Sequence, residues 1–280
     1  MNAMKARPAW PQTKAPWVMG ILNVTPDSFS DGGQFHSLDN AVARARVMIS
    51  EGADIIDVGG ESTRPGSQPV SEDEQIHRVV PVIQSVRTFS EIPISIDTTR
   101  AAVARAALSA GADWVNDVSA LRDDSEMVGL ISETGCPVVL MHKLGEPRTM
   151  QVAPRYDDVV REVREFLAER AAFAQSHGIR RENIILDPGI GFGKTLEHNL
   201  VLLHHLSILV AAGYPILVGA SRKSFIGQLT GLPVEDRLEG SLAAAVLAVQ
   251  AGVHIVRVHD VAPTKRALAV ASAISRQSQA

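Results

Sequence analysis

Asp97, Asn116 and Asp187 each stand at the end of a short apolar run. Two carboxylates and an amide on three separate strands offer acceptors and donors in one place. Such a set would read the edge of a flat heterocycle carrying N–H, NH2 and C=O groups. Arg64, Lys223, Arg257 and His259 are cationic or can become so. Arg257 and His259 are two apart in a run that reads as a strand, so they project from one face. Together these four suit an anion, above all a phosphate ester.

Other residues invite plainer readings. Asp57 and Asp117 neighbour better-placed partners and read as helix caps. Gly189-Ile-Gly-Phe-Gly-Lys-Thr195 imitates a phosphate-binding loop. The glycine that motif needs five residues before Gly193 is Pro188 here, so the match fails. These glycines are expected to form a mobile loop with Phe192 exposed at its tip. His198, His204 and His205 lack metal-ligand spacing and read as surface or core residues. Nothing beside Cys136 would lower its pKa.

The elements that must position this chemistry are short β-branched runs at 17–22, 54–58, 92–96, 114–118, 137–141, 184–186, 216–218 and 254–258. Most are continuously apolar, as parallel strands covered on both faces are. Ala-rich segments with helical periodicity lie between most of them, including 40–49 and 157–175. Ser71-Glu-Asp-Glu74 reads as a capping box opening a helix over 75–87. Gly52, Gly111 and Gly252 each end a helix and lead into a strand.

Eight such units at roughly 30 residues each have the period of a TIM barrel. The competing doubly wound sheet would want glycines after its first strand, where this chain has Asn23-Val-Thr-Pro-Asp27. The fold class expected is therefore α/β, a single (β/α)8 barrel with its active site at the C-terminal ends of the strands. Polar groups follow all eight runs, which one barrel mouth would gather. Any one of them alone reads as well as a turn or a cap.

The chain has 280 residues, 45% apolar and 21% charged, with a formal charge of −4. That composition excludes a disordered chain and gives no overall attraction for nucleic acid or an anionic membrane. One cysteine excludes a disulfide framework or a cysteine-rich metal site. No targeting or membrane-spanning segment is evident. The expectation is a cytoplasmic protein, with residues 1–15 a flexible arm and 16–280 one catalytic domain.

Four segments are similar to the signatures of the dihydropteroate synthase family. They are Met19-Gly-Ile-Leu-Asn-Val-Thr-Pro-Asp-Ser-Phe-Ser-Asp-Gly-Gly33, Asp57-Val-Gly-Gly-Glu-Ser-Thr-Arg-Pro-Gly66, Asp187-Pro-Gly-Ile-Gly-Phe-Gly-Lys-Thr195 and Ser221-Arg-Lys-Ser224. They occur in order, and the resemblance runs from about Trp17 to Val261. It implies a TIM-barrel transferase of folate biosynthesis, a target of sulfonamides. The enzyme would join p-aminobenzoate to dihydropterin-methyl diphosphate with Mg2+ as cofactor.

The resemblance also distributes roles. Asp97, Asn116, Asp187 and Lys223 would bind the pterin. Thr63, Arg64, Arg257 and His259 would lie by the diphosphate, and Asn23 by the magnesium. Phe192, Ser221 and Ser224 would face p-aminobenzoate. Phe29, Asp31, Thr63, Arg64 and Pro65 would belong to two closing loops, and the protein would be a homodimer. Arg64, Lys223, Arg257 and His259 are the groups expected to act in catalysis. A pterin-dependent methyltransferase and a non-catalytic pterin-binding paralogue are the alternatives.

Overall fold

The computed structural model describes residues 15–24, 34–62, 68–145 and 149–277. The flexible arm expected over residues 1–15 lies outside them, apart from Ala15. Phe29, Asp31, Thr63, Arg64 and Pro65 lie outside them too. Eight strands run in chain order: β1 Trp17–Asn23, β2 Ile55–Gly59, β3 Ile94–Asp97, β4 Trp114–Asp117, β5 Val138–Met141, β6 Ile184–Asp187, β7 Leu217–Val218 and β8 Ile255–Val258. All ladders are parallel, and β1 pairs with both β2 and β8. A single bridge between Leu186 and Ile216 joins β6 to β7 and closes the barrel. β7 is short. Pro215, just before it, has no N–H to give and instead accepts from Leu186 N at 2.9 Å.

Helices cover the outside: α1 Gln34–Ser50, α2 Glu72–Arg87, α3 Ala101–Ala110, α4 Glu126–Thr134, α5 Val159–Ser176, α6 Leu196–His204, α7 Leu206–Val210, α8 Ser224–Thr230, α9 Leu238–Gln250 and α10 Val261–Gln277. Their ends follow local chemistry. Ser71 caps α2 by accepting from Glu74 N, although no reciprocal bond from Glu74 completes the expected box. Asp158 caps α5 through Val160 N and Arg161 N. Gly52, Gly111 and Gly252 adopt φ of +90°, +116° and +95°, the left-handed turn that ends a helix before a strand.

Strand side chains alternate between two cores. Ile56, Val58, Ile94, Ile96, Val115 and Leu186 pack outward with the helices in the larger one. Met19, Ile55, Trp114, Val139, Ile185, Leu217 and Ile255 form a separate buried cluster inside the barrel. Trp17 stacks on Trp114 at 5.8 Å and plugs that end. Two residues further along the same strands the inward positions turn polar, at Asp57, Asn116, Asp187 and Arg257. The barrel therefore has an apolar floor and a polar mouth.

Trp114 is the largest fully buried side chain of that floor. Trp114→Ala should cost roughly 3–5 kcal/mol, because strands on all sides limit collapse into the cavity. Urea denaturation measures it, and a loss under about 1 kcal/mol would mean that the floor is not a packed layer.

Candidate active site

Arg257 projects from β8 across the mouth. Its Nε donates to Asp57 Oδ2 at 2.6 Å and its Nη2 to Asp97 Oδ2 at 2.8 Å. Asp57 Oδ2 also accepts from Asn116 Nδ2 at 3.0 Å. One connected set thus links β2, β3, β4 and β8. Asp57 is fully buried, and its Oδ1 has no hydrogen-bond partner among the described residues.

This corrects the reading of Asp57 as a helix cap. Parity along β2 was the available signal: Asp57 lies between Ile55 of the barrel interior and Gly59 at the mouth, so it must face inward. For Asp117 the plain reading holds. It faces outward and caps the turn after β4 through Ser119 N, Ser119 Oγ and Leu121 N at 2.7–2.8 Å.

Burial sets the electrostatics of the mouth. It pushes the Asp97 carboxyl up to about 7, against the pull of Arg257 and with help from Asp57. Burial also raises Asp187, which Lys223 opposes. Lys223 is lowered to about 8 by burial, against the attraction of Asp187. Asp97, Asp187, Lys223 and Arg257 therefore share one field.

Asn23, half-buried at the end of β1, borders the same space. A Cβ placed on Gly59 would lie 3.8 Å from Asn23 Oδ1 and 3.5 Å from Asp97 Cβ, so glycine keeps this corner open. Ser221, after β7, meets β8 through its Oγ, 3.1 Å from His259 Nδ1 and 3.2 Å from His259 N. Ser224 is exposed and begins α8.

The 189–194 segment, expected as a mobile loop, is hydrogen-bonded along its whole length. Six consecutive carbonyls each receive a side-chain donor. Lys194 Nζ serves Gly189 and Phe192, and Lys223 Nζ serves Ile190. Gln151 serves Gly191, Tyr156 OH serves Gly193, and Asn199 serves Lys194. The glycines are there for space and handedness. At Gly189, φ is +65° and a Cβ would overlap the His142 carbonyl oxygen. Phe192 is half-buried, with Lys223 Nζ 4.5 Å from its ring centre.

Sequence reasoning also missed Lys194, His142 as its acceptor, and His198. The last completes a capping box with Thr195 at the start of α6. Lys194 gave no local signal, because the phosphate-loop motif it would complete fails at Pro188. Among the described residues no group of three His, Cys, Asp or Glu could hold a metal, and no helix is long and apolar enough to cross a membrane.

The raised Asp97 has a consequence for stability. Folded Asp97 keeps its proton from its ordinary range up to about 7, so its contribution is present in acid and is lost as pH rises through about 7. Asp97→Asn has no such titration. The stability of the natural protein minus that of the variant should fall between about pH 5 and about pH 8 by urea denaturation. A difference that grows over that range would contradict the burial of Asp97.

Residues 19–259 match the model of the family described as pterin binding enzyme. The dihydropteroate synthase of Escherichia coli (strain K12) is 50% identical over 258 residues, 92% of this chain and 91% of that protein. Xanthomonas albilineans dihydropteroate synthase with 4-aminobenzoic acid superposes with a TM-score of 0.88 at 48% identity, covering 93% of both chains. The same organism's enzyme in complex with 7,8-dihydropteroate gives 0.86 at 45% identity, covering 94% of this chain and 95% of that one. With the barrel, its polar mouth and these likenesses in place, the chain belongs to the pterin-binding enzyme family, among the dihydropteroate synthases.

Proposed function

We propose that this chain joins p-aminobenzoate to 7,8-dihydropterin-6-ylmethyl diphosphate, giving 7,8-dihydropteroate and diphosphate. The observation that carries this reading is the buried set Asp57–Arg257–Asp97 with Asn116 and Asp187 at the barrel mouth. It is a donor and acceptor array set above an apolar floor, as a flat pterin requires.

Asp97, Asn116, Asp187 and Lys223 would hold the pterin by its edge. The bond between the methylene carbon and the diphosphate oxygen breaks, and its electron pair leaves with the diphosphate. The amine lone pair of p-aminobenzoate forms the new C–N bond, and the amine proton passes to the departing diphosphate or to water. Asp97 and Asp187 stabilise positive charge building on the pterin. Arg257, His259, Thr63 and Arg64 stabilise the departing anion. Phe192, Ser221 and Ser224 orient the amine, which needs no further activation.

Asn23 fits a magnesium ion as a neutral oxygen ligand beside the space that Gly59 leaves open. With no carboxylate cage among the described residues, such an ion would draw most of its coordination from diphosphate and water. Its chemistry there is to offset charge on the leaving group. The reading also makes the enzyme a cytoplasmic homodimer and a sulfonamide target. Exposed Leu247 on α9, with Val270 and Ile274 on α10, supports an apolar face for a second copy.

Incubation with both substrates and Mg2+ should yield dihydropteroate, and no product from folded protein would sink the assignment. Mg2+ should bind the protein alone weakly and diphosphate should tighten it, by about 5–150-fold as coupled ligands commonly do. Calorimetry with and without diphosphate measures this. Equally tight binding without diphosphate would point to a metal cage elsewhere.

A further inference from the structure

The Gly-Lys-Thr sequence that fails as a phosphate loop turns its lysine inward. Lys194 is 2% exposed. Its ammonium has three donors, and three acceptors face it: Gly189 O at 2.9 Å, Phe192 O at 3.0 Å and His142 Nδ1 at 3.0 Å. His142 accepts there only as the neutral ring with its proton on Nε2. Burial and the Lys194 charge both push its pKa down, which keeps it neutral. The ring is held from the side by Phe166, edge-on at 4.8 Å.

The two carbonyls that Lys194 gathers bracket Ile190 and Gly191. Ile190 O is the acceptor for Lys223 Nζ, and Phe192 is the ring on which that ammonium rests. One buried lysine, whose pKa burial lowers to about 7, therefore determines where both groups stand. We propose that Lys194 and His142 are a pair of positioning residues that hold Phe192 and Lys223 in the shape receiving p-aminobenzoate. This deepens the transferase reading and rests on it.

Three variants test the pair. Lys194→Met removes the donors at similar volume, His142→Leu removes one acceptor, and His142→Asn keeps an acceptor near the place of Nδ1. Lys194→Met and His142→Leu should raise KM for p-aminobenzoate on the order of tenfold and lower kcat less. Pterin affinity by calorimetry should fall as well, because Lys223 also holds the pterin, but by less than the change in KM for p-aminobenzoate. Amide exchange over 189–194 should quicken by about tenfold in the same two variants. His142→Asn should restore most of both effects.

The proposal is overturned if KM and exchange stay within about twofold in folded His142→Leu. It is equally overturned if the loss falls on kcat alone or if His142→Asn is as damaging as His142→Leu. Should Lys194→Met fail to fold, the two His142 variants decide. Should the natural protein make no dihydropteroate, the reaction reading fails, and the exchange measurements still decide whether the pair holds the loop.

Discussion

Arg257 is held between two carboxylates, Asp57 and Asp97, and most of the mouth is arranged around that arrest. A buried ion pair of this kind is weak evidence for stability, because removing the charges from water costs about what their attraction returns. Its stronger effect is geometric. Asp57 is fully buried and also fixes the Asn116 amide, so four strands present their polar ends in one defined relation. Any ligand reading Asp97, Asn116 and Asp187 meets groups already aimed, and little ordering is left to be done on binding.

The barrel makes this arrest possible through alternation. Because side chains repeat every two residues, the strands that give Ile55, Trp114, Ile185 and Ile255 to a dry floor give Asp57, Asn116, Asp187 and Arg257 to the layer above. The floor excludes water from below. That exclusion holds Asp97 and Asp187 above the ordinary carboxylate range and Lys223 below the ordinary lysine one. Groups poised in this way respond strongly to a charged or hydrogen-bonding ligand.

The eight strands were legible in the sequence because parallel strands covered on both faces must be continuously apolar. Their polar ends were legible for the same reason, since each run stops where the barrel opens. Asp57 was not, because a lone carboxylate beside glycines looks like a cap unless its parity along β2 is followed inward. The hydrogen-bonded form of the 189–194 loop was not legible because glycine has two uses. Freedom to move is one, and here close approach with positive φ decides instead. Besides Lys194 and Asn199, which lie close in sequence, the donors that pin it are Gln151, Tyr156 and Lys223, contacts across the fold that no local pattern announces. Thr63 and Arg64 were named from their motif and lie outside the described residues.

On the proposed reading, Asp57 organises the pterin site by holding Arg257 and Asn116. Asp57→Asn keeps the volume and removes the charge. Calorimetry of a pterin with the folded variant should show affinity lower by about 10–100-fold, the loss of one charge-assisted bond at roughly 1.5–3 kcal/mol. Affinity within about twofold of the natural protein, with the barrel intact, would contradict the account, because the polar mouth would then be organised without Asp57.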